Sequence, residues 1–163
     1  MCIRDSRRIA ILVADGVAGA GVAALQAAMI DAGAVPKVIA PRLGQVKTAD
    51  ATPLEADASL ENSPPVLFDA VVLADGEEGS TRLAELGQAA EFIVNQYRHG
   101  KTILALGTSQ ALLAPIGVPT ELPSGEPDPG VISGMADGEA IASFVRAVGK
   151  HRHPARESDP PRV

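Results

Sequence analysis

Four apolar runs punctuate the chain: Arg8–Ala14 (RIAILVA), Lys37–Ala40 (KVIA), Ala70–Leu73 (AVVL) and Lys101–Leu106 (KTILAL). None alternates apolar with polar positions. A strand that alternates wets one face; a strand without alternation is buried on both, as in a parallel sheet covered by helices. Between the runs the period changes. Val22, Leu25 and Met29 step by three and four, which predicts a helix over about Gly19–Ala32 with Gly33 as its stop. Leu83, Leu86, Ala90, Ile93 and Tyr97 repeat the pattern and predict one or two amphipathic helices over about Ser80–Arg98. Ile141, Phe144, Val145 and Val148 mark a last helix over Asp137–Val148, with Asp137 as N-cap.

The remaining stretches are weaker. Gln45–Thr48 and Thr52–Ala56 read as short strand pieces joined by a turn at Ala49-Asp50, and Ala58–Phe68 as an irregular connector holding Pro64-Pro65. Gly107-Thr108-Ser109 turns into a helix running through Leu113, which Pro115 and Gly117 break. Glu121–Gly130 is a Pro- and Gly-rich surface loop, and Val131-Ile132 a short final strand. Residues 1–7 read as a flexible or foreign leader and residues 150–163 as a polar tail, extended or free. That leaves one domain, 8–149. Its alternation of strand and helix predicts an α/β fold: a doubly wound, mostly parallel flavodoxin-like sheet with helices on both faces.

Composition narrows the functions available. The chain of 163 residues is 46% hydrophobic, which is globular, but aromatics make up only 2%. Base-stacking platforms are therefore missing, and a formal net charge of −6 argues against holding a polyanion. The single cysteine, Cys2, allows no internal disulfide. No apolar run has membrane-spanning length, and Met1–Arg8 lacks the apolar core of a signal peptide, so the expected location is cytoplasmic.

In a doubly wound sheet ligands bind beyond the carboxyl ends of the strands, which directs attention to three turns. Gly107-Thr108-Ser109-Gln110-Ala111 reads G-x-S-x-A, close to the G-x-S-x-G nucleophile elbow. Ser109 would need a histidine: His99 sits at the opposite end of the same strand, and His151 and His153 follow the last helix. The simpler reading is that Thr108 and Ser109 cap a helix. Gly16, Gly19 and Gly21 could let a phosphate approach a helix N-terminus, but their spacing misses G-x-G-x-x-G and no P-loop lysine follows; a tight turn is the simpler reading. Asp75, Glu77 and Glu78 could pair as carboxylates, or could complement the dipole of the next helix. His151 and His153, without a second cluster, make a weak metal signal in what reads as a basic solvated tail. A haem would need an axial ligand in an apolar pocket, and no histidine falls in a clearly buried segment.

From Arg8 to Ala40 (RIAILVADGVAGAGVAALQAAMIDAGAVPKVIA) and on through PRLGQVKTADATPLEADASLENSPPVLFDAVVLADG, the chain resembles the C-terminal domain of large-subunit haem catalases. QYRHGKTILALG (Gln96–Gly107), GEPDPGV (Gly125–Val131) and KHRHPARESDPPRV (Lys150–Val163) extend the resemblance to nearly the whole chain. It implies a fold similar to class I glutamine amidotransferases and PfpI-type proteins. Their active members carry a nucleophilic cysteine at the elbow after the strand that here is Lys101–Leu106, and an acidic residue after the first strand. This sequence has Gly107 or Thr108 at the elbow and no glutamate in Gly16–Gly21, so a degenerate elbow at Gly107, Thr108 and Ser109 is expected, with no catalytic, cofactor-binding or metal residues. The resemblance further implies a parent enzyme that disproportionates hydrogen peroxide to water and oxygen under oxidative stress, with haem in the preceding catalase core. This chain would then be a non-catalytic, oligomer-stabilising domain or a fragment, partnered by that core and by the other subunits of a homotetramer, without nucleic acid or membrane. The competing expectations are a free-standing hydrolase or amidotransferase-like enzyme using Ser109 or Thr108, and a small-ligand module using the first glycine turn.

Overall fold

The computed structural model describes residues 6–135 and 137–158. Along the chain come β1 (Arg8–Leu12), α1 (Gly19–Asp31), β2 (Val35–Ala40), β3 (Gly44–Gln45), β4 (Glu55–Ala56), β5 (Ala58–Ser59), β6 (Ala70–Leu73), α2 (Glu77–Ala84), α3 (Gly87–Arg98), β7 (Thr102–Leu106), β8 (Val131–Gly134) and α4 (Gly138–Gly149). Six strands form one sheet in the order β5-β2-β1-β6-β7-β8, and each neighbouring pair is parallel. β3 and β4 form a small antiparallel ladder beside it. The doubly wound α/β fold expected from the sequence is the fold found.

The unalternating runs explain the layers. Ile9, Ile11, Val38, Val72 and Leu104 face α1 and α4, meeting Val22, Leu25, Met29 and Phe144. Ala10, Leu12, Ile39, Val71, Leu73 and Ile103 face α2 and α3, meeting Leu83, Phe92 and Ile93. Successive residues of one strand thus feed two cores, which is why no polar position interrupts them. Helix α1 ends as its sequence predicts. Gly33 takes φ +83°, and the amides of Gly33 and Ala34 close on the carbonyls of Ile30 and Met29 at 2.9 Å each. Asp137 caps α4, its carboxylate accepting the Ala140 amide at 2.9 Å.

Three expectations are corrected. The stretch from Ala58 is not wholly irregular: Ala58–Ser59 forms an edge strand on β2. After β7 the chain makes two 3-10 turns, Gly107–Leu112 and Ala114–Ile116, and not an α-helix. Pro115 cannot continue the ladder, and the Ser109 hydroxyl takes the Leu106 carbonyl at 2.7 Å. The third correction concerns the tail. Up to Ser158 it is docked, not solvated, with a 3-10 turn at Pro154–Ser158. His153 and Arg156 are 3% and 4% exposed, inside what read as a basic surface. The ion pair of Arg156 with Asp128, a residue of the Pro- and Gly-rich loop, has both side chains buried. The same guanidinium donates to the Lys101 carbonyl at 2.8 Å and lies 4.8 Å from the centroid of the Tyr97 ring. His153 Nε2 pairs with Thr102 Oγ1 at 2.8 Å, and the His153 amide donates to the Gly100 carbonyl at 2.8 Å. At the leader, the Ser6 amide reaches the Gly33 carbonyl at 2.9 Å; residues 1–5, Cys2 among them, and residues 159–163 lie outside the described residues.

Candidate functional site

The three turns chosen from the sequence meet at the carboxyl end of the sheet. The strand order reverses between β1 and β6, where a doubly wound sheet commonly leaves a ligand crevice. Here the crevice is closed by backbone. A Cβ added to Gly76 would lie 2.6 Å from the Gly16 carbonyl oxygen, and one added to Gly16 would lie 2.5 Å from the Glu78 Cβ. The Ala18 amide donates across the gap to the Asp75 carbonyl at 2.9 Å.

The glycine turn after β1 has its own occupant. No side chain of the first turn caps α1, but Asp50 reaches it from the loop between β3 and β4. Its carboxylate accepts the Ala20 amide at 2.9 Å and the Thr52 amide at 3.2 Å. Those bonds, with the Ala20 amide the strongest influence, hold the Asp50 pKa down to about 2. The same loop presses on the turn: a Cβ on Gly19 would lie 2.7 Å from Thr48 Cγ2. The helix N-terminus that could have cradled a phosphate already holds a carboxylate, so the tight-turn reading of Gly16, Gly19 and Gly21 is the one the geometry favours.

The elbow is built around Asp75. Its Oδ1 accepts the Gly76 amide at 2.7 Å, the Thr108 amide at 2.9 Å and the Thr108 hydroxyl at 3.0 Å. Because the Thr108 proton points at Asp75, the Ser80 hydroxyl is the donor in the 3.0 Å contact between Ser80 Oγ and Thr108 Oγ1. Burial pushes the Asp75 carboxyl up, but the bonds from Thr108 and Gly76 prevail and hold it below the ordinary aspartate value. Gly107 has φ +53°, and a Cβ there would lie 2.2 Å from the Asp75 carboxyl carbon. The neighbouring acids behave as the sequence suggested: Glu77 and Glu78 occupy the first turn of α2.

Thr108 and Ser109 are not helix caps. Ser109 is fully buried, and its hydroxyl turns back to the Leu73 and Leu106 carbonyls at 2.9 and 2.7 Å. The three histidines gather at the other end of β7: His153 on Thr102, His99 with its carbonyl bonded to Arg152, and His151 next to Arg152 in the chain. A serine at one end of a strand and histidines at the other cannot form a nucleophile and base. Among the described residues no group of three or more His, Cys, Asp or Glu is placed to hold a metal ion. The Tyr97 ring lies under Arg156 and His153 is bonded to Thr102, while a cleft of about 400 Å³ beside β1 and β2 is lined by Asp15, Arg42, Arg82, Glu85 and mostly aliphatic residues. Among the described residues no helix is long and apolar enough to cross a membrane.

Comparison with known proteins points one way. Residues 5–158 match the family described as the C-terminal domain found in long catalases. The chain is 31% identical over 153 residues to Catalase HPII of Pseudomonas aeruginosa, covering 94% of this chain and 21% of that protein. It is 33% identical over 153 residues to Catalase C of Rhizobium meliloti, again covering 94% of this chain and 21% of the relative. The chain thus spans about a fifth of the length of the curated relatives it matches. Among solved structures, DJ-1beta of Drosophila melanogaster superposes with a TM-score of 0.74 at 18% identity, covering 94% of this chain and 95% of that one. The VC2308 protein gives 0.71 at 18% identity over 97% of this chain and all of its own. These structures share the fold.

Proposed function

The chain belongs to the family of C-terminal domains found in long catalases, and on that premise we propose that it is the non-catalytic, oligomer-stabilising domain of a cytoplasmic haem catalase. The parent would disproportionate hydrogen peroxide to water and oxygen in the oxidative-stress response. Its haem would sit in the catalase core, and this domain would pack on that core and on the other subunits of a homotetramer. The observation carrying the proposal is the length of the match: 94% of this chain aligns with catalases several times longer, over a site whose polar groups are bonded to one another. A free-standing hydrolase using Ser109 or Thr108 has less behind it, because Ser109 is buried on two carbonyls and Thr108 donates to Asp75.

The test uses the purified chain and a long catalase lacking its own C-terminal domain. The chain alone should show no haem absorbance and release no oxygen from peroxide. Added to the truncated catalase, it should bind and raise the fraction of tetramer. Oxygen evolution at catalase-like rates by the chain alone, or failure to bind the truncated enzyme, would overturn the proposal.

A further inference from the structure

We propose that the amino end of the sheet is the face that docks on the catalase core, an inference that rests on the catalase reading and adds the surface to it. Among the described residues six large apolar side chains are exposed, and four of them stand at this end. Ile30, 63% exposed, lies in the last turn of α1, and Val35 opens β2. Val66 and Leu67, 75% and 48% exposed, lie in the 3-10 turn Pro65–Leu67 before β6, which Gln96 of α3 holds by donating to the Pro65 carbonyl at 2.8 Å. The strand register joins the two pairs. Arg8 pairs with Val35 on one side, and on the other its carbonyl accepts the Asp69 amide at 2.8 Å. Val35, Arg8 and Asp69 thus make one continuous edge between Ile30 and Val66-Leu67. Single exposed apolar residues are ordinary, but a group gathered at one end marks a contact surface.

The same end holds the buried polar atoms that lack a hydrogen-bond partner among the described residues. They are Gln96 Oε1, on a side chain with no exposure in the last turn of α3, and His151 Nδ1, just after α4. Such orphans are kept few in folded proteins because each costs desolvation. The occupant follows from where the chain enters. This chain spans 21% of Catalase HPII and matches a C-terminal domain, so the catalase core would come before the matched stretch. The chain enters at the amino end of β1, where the Ser6 amide meets the Gly33 carbonyl at 2.9 Å and Arg7 lies 3.5 Å from Asp69. A core joined there reaches this end directly, and the carboxyl end only by passing the length of the sheet. Arg8, Arg98 and Arg152 are exposed around the entry, in a chain of net charge −6. The facing surface of the core is therefore apolar at its centre and carries carboxylates at its rim.

The test measures binding of the chain to a long catalase lacking its own C-terminal domain. Ile30→Asp and Leu67→Asp should each weaken binding about tenfold or more while the circular dichroism spectrum stays native. Leu43→Asp and Met135→Asp, at residues 64% and 61% exposed at the carboxyl end, should change it by less than about twofold. Added salt should slow association. Hydroxyl-radical labelling of the native chain decides the matter if a variant does not fold: Ile30, Val66 and Leu67 should be protected in the complex, and Leu43 and Met135 should not. Binding by the native chain that the amino-end variants leave unchanged, or protection confined to Leu43 and Met135, would overturn this surface and leave the catalase reading standing. A native chain that does not bind would overturn both. Self-association of the chain alone, lost in Leu67→Asp, would give the face to a second copy and overturn the proposal as well.

Discussion

The two ends of the sheet treat polar groups in opposite ways. At the carboxyl end, where such folds hold ligands, partly exposed or exposed aspartates close on backbone amides: Asp50 on Ala20 and Thr52, Asp75 on Gly76 and Thr108. At the amino end, full charges are buried. Arg156 and Asp128 pair with side chains 3% and 0% exposed, and the Lys101 ammonium is buried against the Phe68 and Pro65 carbonyls. The end with a place for chemistry is sealed by local turns. The end without one fastens the C-terminal segment across the core. The difference shows where the chain's costly interactions lie: in holding one conformation, not in preparing a reaction.

The largest expected effect tests that contrast directly. Arg156→Met leaves the Asp128 carboxylate buried without its cation and should lower unfolding free energy by about 3–5 kcal/mol in urea titrations. Asp128→Leu with Arg156→Met should recover part of the loss, because no orphaned charge remains, while the Gly130 amide and the Lys101 carbonyl lose these bonds. A single-variant loss near that of a surface ion pair, about 0–1 kcal/mol, would break the comparison.

A smaller loss is expected at the carboxyl end. Ser109→Ala removes the hydroxyl shared between the Leu73 and Leu106 carbonyls and should cost about 1–2 kcal/mol by the same urea titration. The native chain should also stay unlabelled by a fluorophosphonate probe, since the hydroxyl is buried and the histidines lie at the far end of β7. Labelling that disappears in the variant would revive the hydrolase reading and make this end the chemical one.

How much of this was legible follows from the range of each interaction. β1, β6 and β7 declared themselves because strands buried on both faces run apolar without alternation, as residues 9–12, 70–73 and 103–106 do. Gly33 and Asp137 declared helix ends because their roles are settled within a few residues. Arg156 did not, because its partner lies 28 positions away in a loop rich in proline and glycine, and a stretch such as KHRHPARES has the composition of a solvated tail. Pro115 was read as a break, but the turn before it is 3-10 as well, with the Ser109 hydroxyl donating back to the Leu106 carbonyl. Asp75 was grouped with Glu77 and Glu78 as helix-end charge. Its bond to Thr108 spans 33 positions, and no local pattern announces it.

The smallest effects separate the two ends by pH. Burial, then the nearby Arg156 cation, pushes His153 below the ordinary histidine value of 6.5, against the pull of Asp128 and with a further push from Lys150. As pH falls past 6.5 the unfolded chain takes up a proton that native His153 resists, so this contribution is complete above 6.5 and lost below it. Asp50 works in a lower window. Its pKa falls from 3.8 to about 2, so its contribution is complete above 3.8 and lost as pH drops toward 2. Asp75 acts in the same direction. Asp50 is fully exposed, so its share is the lesser one. Melting midpoints measured across both windows should therefore fall in two stages, the amino end first. His153→Gln should reduce the upper stage, which burial of His151 shares, and leave the lower one. Asp50→Asn, which still caps at neutral pH, should reduce the lower stage without removing it, because Asp75 still titrates there, and should leave the upper stage unchanged. If either variant altered the other's window, the two ends would be one coupled network, and their contrast would concern composition and not energetics.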